Sequence, residues 1–233
     1  MDILTWTKQL FLDIQYELRA QSSCLPNVID YPVPYVCQYA RTEDVERFVK
    51  GELSAVDDPY WHLTSARSPE EYARWVRSMC GMAVTKMIIK YFKNKNVLLV
   101  PLAEDARVHG VYPDKPGGVC PMRYREFSTW ITKYGLRAEI YPRLSIRGIQ
   151  YAIAKKKLPI VSVNPNIRGY AKSPPNQKGG HLVLVTGYDV AHRVLFLNNP
   201  SGFLSLNTQK RHKITENEFR RYYAGRGILV SPT

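Results

Sequence analysis

The segment from Arg77 to Phe92 sets the strongest constraint on the fold. Its apolar residues recur at intervals of three and four, which predicts a helix with one buried face; they are Cys80, Ala83, Val84, Met87, Ile88, Tyr91 and Phe92. Cys80 stands where this helix is expected to begin, and Gly81 lets another segment approach it closely. Unpaired N–H groups and the helix dipole favour the thiolate at such a position. Cys80 is therefore either a nucleophile or one more buried apolar residue.

A second constraint comes from residues 179–202, a hundred residues further along the chain. A glycine pair precedes His181, which begins an apolar strand, and the next strand ends at an Asn-Asn-Pro sequence that contains Asn199. A cysteine that begins a helix, a histidine that begins a strand and an amide after the next strand are the parts of a Cys-His-Asn triad. Asn198 would point to the opposite face of its strand, so the position before the proline favours Asn199.

These residues belong to a longer resemblance, to the C39-like cysteine peptidases, which have the papain-like fold. The matching segments, in the family's order, are residues 33–38, 80–81, 158–163, 180–189 and 198–200. The resemblance extends from about residue 31 to about residue 230. It implies an α+β papain-like fold, in which the helix that begins at Cys80 packs on an antiparallel β-sheet.

The resemblance also assigns the site residues: Cys80 as nucleophile, His181 as general base and then acid, and Asn199 to orient the imidazole. Gln38 takes the place of the side chain that stabilises the oxyanion together with the backbone N–H of Cys80. The family usually has aspartate at the position of Asn199, where papain itself has asparagine, and proline at the position of Met82. The interval between Gln38 and Cys80 is longer than is usual in the family.

The chain is strongly basic. Its 33 lysines and arginines and 20 aspartates and glutamates give a formal charge of +13 and a pI near 9.6. The densest basic runs, residues 155–157 and 210–213, are too short to predict a nucleic-acid interface. We therefore expect a peptide or protein substrate rather than nucleic acid, and the charge favours an acidic one.

The four cysteines are too few and too scattered for a disulfide framework, and no CxxC pair indicates a zinc site. We expect no metal ion and no cofactor.

The N-terminus lacks the pattern of a signal peptide, and no apolar run reaches the roughly 18 residues that a membrane span needs. The expectation is a cytoplasmic protein without a membrane span, and the sequence does not decide its oligomeric state.

We expect one domain over residues 1–233, with a helical extension at 1–30 and an insertion at 41–67 that could wall the cleft. The extension predicts an amphipathic helix over residues 1–22, whose apolar face holds Ile3, Trp6, Leu10, Ile14 and Leu18. Helices are expected to begin after Ser68, Ser145 and Thr215, because serine and threonine are favoured at the N-cap position.

The second half of the chain is expected to form most of the sheet. Its predicted strands are residues 136–141, 158–163, 181–189, 194–198 and 227–231. Residues 93–121 are expected to be irregular, and residues 164–180 to form a loop beside the cleft. Most helices thus precede the strands, which are mostly antiparallel, and this order is typical of an α+β fold.

The sequence therefore predicts a cysteine peptidase that acts on peptides through an acyl-enzyme. Two alternatives stay open. The same triad with an amine acceptor gives an acyltransferase or transpeptidase, and a catalytically decayed member of the family would serve as a peptide-binding module.

Overall fold

The computed structural model describes residues 3–169 and 175–233, without the side chains of residues 3–6 and 8. The described α-helices are α1 (Ile3–Ser22), α2 (Val45–Lys50), α3 (Pro69–Val76), α4 (Cys80–Lys93), α5 (Leu99–Val108), α6 (Tyr124–Trp130), α7 (Ile146–Ala154) and α8 (Glu216–Tyr222). The described strands are β1 (Val28–Asp30), β2 (Asp114–Lys115), β3 (Gly118–Val119), β4 (Leu136–Tyr141), β5 (Leu158–Val163), β6 (His181–Asp189), β7 (Val194–Asn198), β8 (His212–Thr215) and β9 (Tyr223–Pro232).

One antiparallel sheet organises the fold. Its strand order is β4-β9-β5-β6-β7-β8, and β2 and β3 form a separate small hairpin. The first half of β6 pairs with β5, whereas its last three residues pair with β1, so β1 continues the edge that β5 leaves. The strands β5 and β6 are buried along almost their whole length because helices cover both faces of the sheet.

The two faces of the sheet belong to two hydrophobic cores. Along β6, Leu182 and Leu184 face the core that contains α4, whereas Val183 and Val185 face the core that contains α7. This alternation follows from the two-residue period of a strand. The helix that begins at Cys80 therefore packs directly on the sheet, next to β6. The α+β architecture with this helix on an antiparallel sheet is the papain-like fold that the resemblance implied.

The predicted N-caps are confirmed. The hydroxyl groups of Ser68, Ser145 and Thr215 each accept a hydrogen bond from the backbone N–H three residues further on, at 2.9–3.2 Å. They begin α3, α7 and α8. These caps satisfy N–H groups that have no partner within the helix, and local sequence suffices to predict them for that reason.

The prediction that residues 93–121 are irregular is wrong for their central part, which forms α5. The sequence argued against a helix because the segment contains asparagines, prolines and the Gly117-Gly118 pair, and of these Pro101 lies within α5. However, Pro101 lies in the first turn of α5, where a missing N–H breaks no hydrogen bond within the helix. Packing of the buried Leu102, Ala103 and Ala106 in the first core then stabilises the helix.

The predicted packing face of the N-terminal helix is also wrong, although α1 itself forms. Ile14 and Leu18 are 50% and 64% exposed, whereas Asp13 and Ala20 on another face are buried. The helix docks through polar contacts: Tyr16 donates to the carbonyl of Gly148 at 2.9 Å, and Glu17 accepts from the N–H of Ser145 at 2.9 Å. The side chains of Ile3 and Trp6 lie outside the described residues.

The loop predicted for residues 164–180 begins with a 3-10 turn, Pro165–Arg168, and its residues 170–174 lie outside the described residues. In the region of the predicted insertion, α2 is followed by two 3-10 turns, Ala55–Asp57 and Trp61–Thr64. None of the helices that the structure describes is long and apolar enough to cross a bilayer.

Candidate active site

Cys80 is the first residue of α4. Three side chains pack closely around its neighbour Gly81. A Cβ added at Gly81 would lie 2.5 Å from the hydroxyl of Tyr112, 2.7 Å from the sulfur of Met122 and 3.3 Å from Leu182. Residue 81 must therefore be glycine for these three side chains to reach the start of the helix. The fit holds the Cys80 end of α4 against β6.

The Cys80 thiol is surrounded by groups that act on its charge in opposite directions. Burial raises its pKa, while the backbone N–H groups of Leu182 and Gly81 and the Arg168 guanidinium lower it. Burial is the largest of these effects, so the pKa is raised overall and the thiol is the resting form. The sequence predicted that the helix start would favour the thiolate. That prediction took the backbone N–H groups into account but not the burial of the sulfur, which raises the pKa.

His181 begins β6 directly after Gly179 and Gly180, which have φ angles of +101° and +92°. These left-handed conformations favour glycine, and they turn the chain sharply into the strand. The His181 ring is 4% exposed. Burial, followed by the charge of Arg168, lowers its pKa to about 3, and the hydrogen bond that the ring donates to Asn199 acts in the opposite direction. The imidazole is therefore neutral near pH 7.

Asn199 holds the His181 ring. Its side-chain oxygen lies 2.8 Å from His181 Nε2, and the backbone N–H of Ser201 donates to the same oxygen at 3.2 Å. Because the Ser201 N–H identifies this atom of the amide as the oxygen, His181 Nε2 must be the donor. That leaves Nδ1 as the nitrogen that can accept a proton. Asn198, the alternative in the sequence, instead donates to the carbonyl of Val33 and accepts from the N–H of Arg211.

Gln38 is buried between the end of α3 and the turn after β7. Its side-chain amide donates to the carbonyl of Val76 at 2.8 Å, and its side-chain oxygen has no hydrogen-bond partner in the described part of the chain. Its backbone N–H donates to the carbonyl of Pro200 at 2.9 Å. The contacts described for Gln38 thus tie α3 to the turn after β7, and do not include Cys80.

Two residues that the sequence did not single out lie close to the candidate triad. Ser201 is fully buried, and its hydroxyl oxygen lies 3.1 Å from His181 Nε2. The pairing of Leu184 with Asn198, continued along both strands, sets residue 201 opposite residue 181, so a correct register would have predicted this contact. Arg168 acts on both Cys80 and His181 from the 3-10 turn Pro165–Arg168, and no local sequence signal indicates that proximity.

Cys80 and His181 line the same cavity, which has a volume of about 490 Å³. Its wall is mainly apolar and aromatic, with Tyr112, Met122 and Leu182 among its residues. An apolar cleft with a few polar groups at one point is typical of a ligand-binding site. Within the described residues, no cluster of three or more histidine, cysteine, aspartate or glutamate side chains could hold a metal ion.

The model of the peptidase C39-like family matches residues 59–229 of the chain. The chain therefore belongs to the peptidase C39-like family. No curated protein sequence matches it at a significant level. The matched residues include Cys80, His181 and Asn199, whereas Gln38 precedes them.

Several solved structures of C39 peptidase domains are similar to the chain. A double-glycine-motif protease from an AMS/PCAT transporter, in complex with its leader peptide, has 20% identity and a TM-score of 0.44, over 67% of this chain and 86% of the other. The peptidase domain of Streptococcus ComA, a bifunctional ABC transporter, has 15% identity and a TM-score of 0.43, over 67% and 93%. The C39-like domain of a toxin-secretion ATP-binding protein from Vibrio parahaemolyticus has 16% identity and a TM-score of 0.34, over 55% and 90%.

Proposed function

We propose that the protein is a cysteine peptidase in which Cys80, His181 and Asn199 form a catalytic triad. The observation that carries the proposal is the 2.8 Å hydrogen bond between His181 and Asn199 beside a cavity that Cys80 also lines. This is the arrangement in which an amide fixes the imidazole and leaves its second nitrogen for the nucleophile. The family membership supports the same reaction class.

The resting pair in this mechanism is a neutral thiol and a neutral imidazole. Burial raises the pKa of Cys80 and lowers that of His181, which opposes a thiolate–imidazolium pair before substrate binds. His181 Nδ1 therefore removes the thiol proton as sulfur attacks the amide carbon. The same proton then passes to the leaving amine as the C–N bond breaks, which leaves a thioester. Water, deprotonated by His181, hydrolyses the thioester and restores the thiol.

Two N–H groups are available for the oxyanion of the tetrahedral intermediate. The backbone N–H of Cys80 lies in the first turn of α4, where N–H groups have no partner within the helix. The side-chain amide of Gln38 donates one N–H to Val76, and its second N–H is the group that the family resemblance assigns to the oxyanion. We assign Gln38 this secondary role.

For the substrate, we propose a peptide that is cleaved after small residues. Tyr112, Met122 and Leu182 fill the space beside Gly81, next to the nucleophile. One of the similar structures is a double-glycine-motif protease that holds a leader peptide. A peptide with a Gly-Gly pair is therefore the first substrate to test.

The test is cleavage of a fluorescence-quenched peptide that contains Gly-Gly. We expect cleavage by the wild-type protein and a loss of kcat/KM of about 10³-fold or more in both Cys80→Ala and His181→Ala. Cys120→Ala is the matched control, because Cys120 is also partly exposed but lies outside the cavity wall. An unchanged rate in Cys80→Ala would overturn the proposal.

Addition of glycinamide separates peptidase from transpeptidase, since only a transpeptidase yields a product with the added amine.

A further inference from the structure

Over the residues that the structure describes, the cavity wall carries positive charge and no negative charge. Three cations line it, Arg77, Lys115 and Arg226, and none of the described residues in the wall is an aspartate or glutamate. A cleft with apolar walls and charge of one sign concentrates its electrostatic field on the ligand. The cleft thus combines mainly apolar walls with three cationic side chains.

These three cations have no carboxylate partner among the described residues, whereas Arg74 and Arg107 nearby both bind Asp114. In the part of the chain that the structure describes, none of the three lies within 4.0 Å of a carboxylate oxygen. Asp114, the neighbour of Lys115 in sequence, is bound instead by Arg74 at 2.6 Å and Arg107 at 3.0 Å. The carboxylate of Asp114 is therefore already neutralised by two arginines outside the cavity wall.

Arg226 has a defined position beside the candidate base. Its guanidinium Nη2 lies 2.9 Å from the place that a Cβ on Gly179 would occupy, so Gly179 leaves the space for it. The Tyr124 hydroxyl lies close to Ser162 and Arg226, both of which act to lower its pKa against the larger effect of burial. Arg226 thus lies against Gly179, two residues before His181, while its side chain stays exposed to the cleft. A guanidinium in a fixed position is well suited to bind a carboxylate.

We propose that the cleft selects acidic peptides, and that Arg226, supported by Arg77 and Lys115, binds carboxylate side chains close to the scissile bond. This inference deepens the proposed function, because it names the substrate class of the same site. The charge of the half-buried Arg168 adds to the field, since it acts on both Cys80 and His181. A substrate carboxylate in the cleft would offset this concentration of positive charge.

The test measures binding without catalysis, so that it does not depend on whether the proposed reaction occurs. The protein is the Cys80→Ala variant, and the probes are two fluorescein-labelled decapeptides centred on Gly-Gly. One has two glutamates on each side of the glycines, and the other has glutamines at those positions. Both peptides are amidated at the C-terminus, which removes the terminal carboxylate. Fluorescence anisotropy at 50 mM NaCl should give a Kd about tenfold lower for the glutamate peptide, and 1 M NaCl should abolish the difference.

Two further variants in the Cys80→Ala background locate the effect. Arg226→Gln should reduce the preference for the glutamate peptide by about threefold. Lys213→Gln removes the same charge from the exposed edge strand β8, outside the cavity wall, and should leave the preference unchanged. Equal affinity for the two peptides at low salt would overturn the inference. An equal loss in Arg226→Gln and Lys213→Gln would also overturn it, because the net charge of the protein would then explain the preference.

Discussion

The orientation of the His181 ring depends on two groups in the turn that follows β7. The Asn199 oxygen accepts from the ring, and the Ser201 N–H donates to the same oxygen from the other side. Both side chains are fully buried, so water does not compete for these contacts. The turn therefore fixes the ring through an amide whose own orientation is fixed by the backbone.

The first prediction at the residue scale concerns Asn199→Asp, which restores the residue that the family usually has. A carboxylate beside His181 favours the imidazolium, so the pKa of His181 should rise from about 3. The acid limb of kcat/KM against pH, which protonation of His181 sets, should then move to higher pH. A profile measured from pH 2.5 to pH 9 checks this shift, because it includes the wild-type acid limb near pH 3. An acid limb at the wild-type position would contradict the assignment of His181 as the base.

The second residue-scale prediction concerns the Cys80 thiol. Burial raises its pKa above the ordinary value, so little thiolate is present near pH 7. Alkylation of Cys80 by iodoacetamide, followed by mass spectrometry, should keep accelerating as the pH rises through 9. The exposed Cys24 provides a reference rate in the same sample. A plateau of the Cys80 rate between pH 5 and pH 7 would instead reveal a thiolate–imidazolium pair.

At the scale of elements, the contact of α4 with the sheet positions the nucleophile. The start of α4 meets the start of β6, and the backbone N–H of Leu182 acts on the Cys80 sulfur. The register of β6 with β7 then sets the turn that contains Asn199 beside the same end of β6. The helix α4 thus meets the hairpin of β6 and β7, which lies about a hundred residues further along the chain, at one end of these strands.

Gly81→Ala tests this contact between elements. The added Cβ would overlap the Tyr112 hydroxyl, and the buried Tyr112 ring has little room to move. We expect a loss of about 1–3 kcal/mol in the free energy of unfolding, measured with urea, because overpacking displaces neighbouring side chains. Gly118→Ala is the control, since its nearest atom would lie 3.9 Å away, and it should change stability by less than about 0.5 kcal/mol. Equal stability of Gly81→Ala and wild type would show that α4 can shift without cost.

At the scale of the whole molecule, two buried histidines make stability depend on pH. Burial lowers the pKa of His181 to about 3 and that of His212 to about 4. The unfolded chain therefore binds more protons than the folded protein below pH 6.5, and stability is complete above that pH and falls as acid is added.

The free energy of unfolding should fall between pH 6.5 and pH 5.5 with a slope approaching about 1.4 kcal/mol per pH unit for each histidine. His212→Asn should reduce this slope, whatever it does to the absolute stability. The same substitution of His192, which is exposed, serves as the control. Urea unfolding at three pH values checks the prediction, and a slope unaffected by His212→Asn would contradict it.

Local signals in the sequence predicted the parts of the fold that local forces determine. The N-caps at Ser68, Ser145 and Thr215 and the strands β4 to β7 lie where composition and period placed them. The predictions that were wrong concerned tertiary packing. For α5 the buried face outweighs the signal of Pro101, and for α1 polar contacts with α7 decide which face is turned inward. The single domain and the insertion at residues 41–67 remain predictions.

The sequence by itself determined the family, the α+β order of elements and the residues Cys80, His181 and Asn199 as candidates, because residue type and period carry that information. Only the tertiary structure decided that Asn199 rather than Asn198 contacts His181, that Ser201 and Arg168 lie beside the site, and that burial outweighs the helix start at Cys80. The physical reason is that desolvation, strand register and electrostatic proximity depend on distances between segments far apart in the chain, which residue order does not specify.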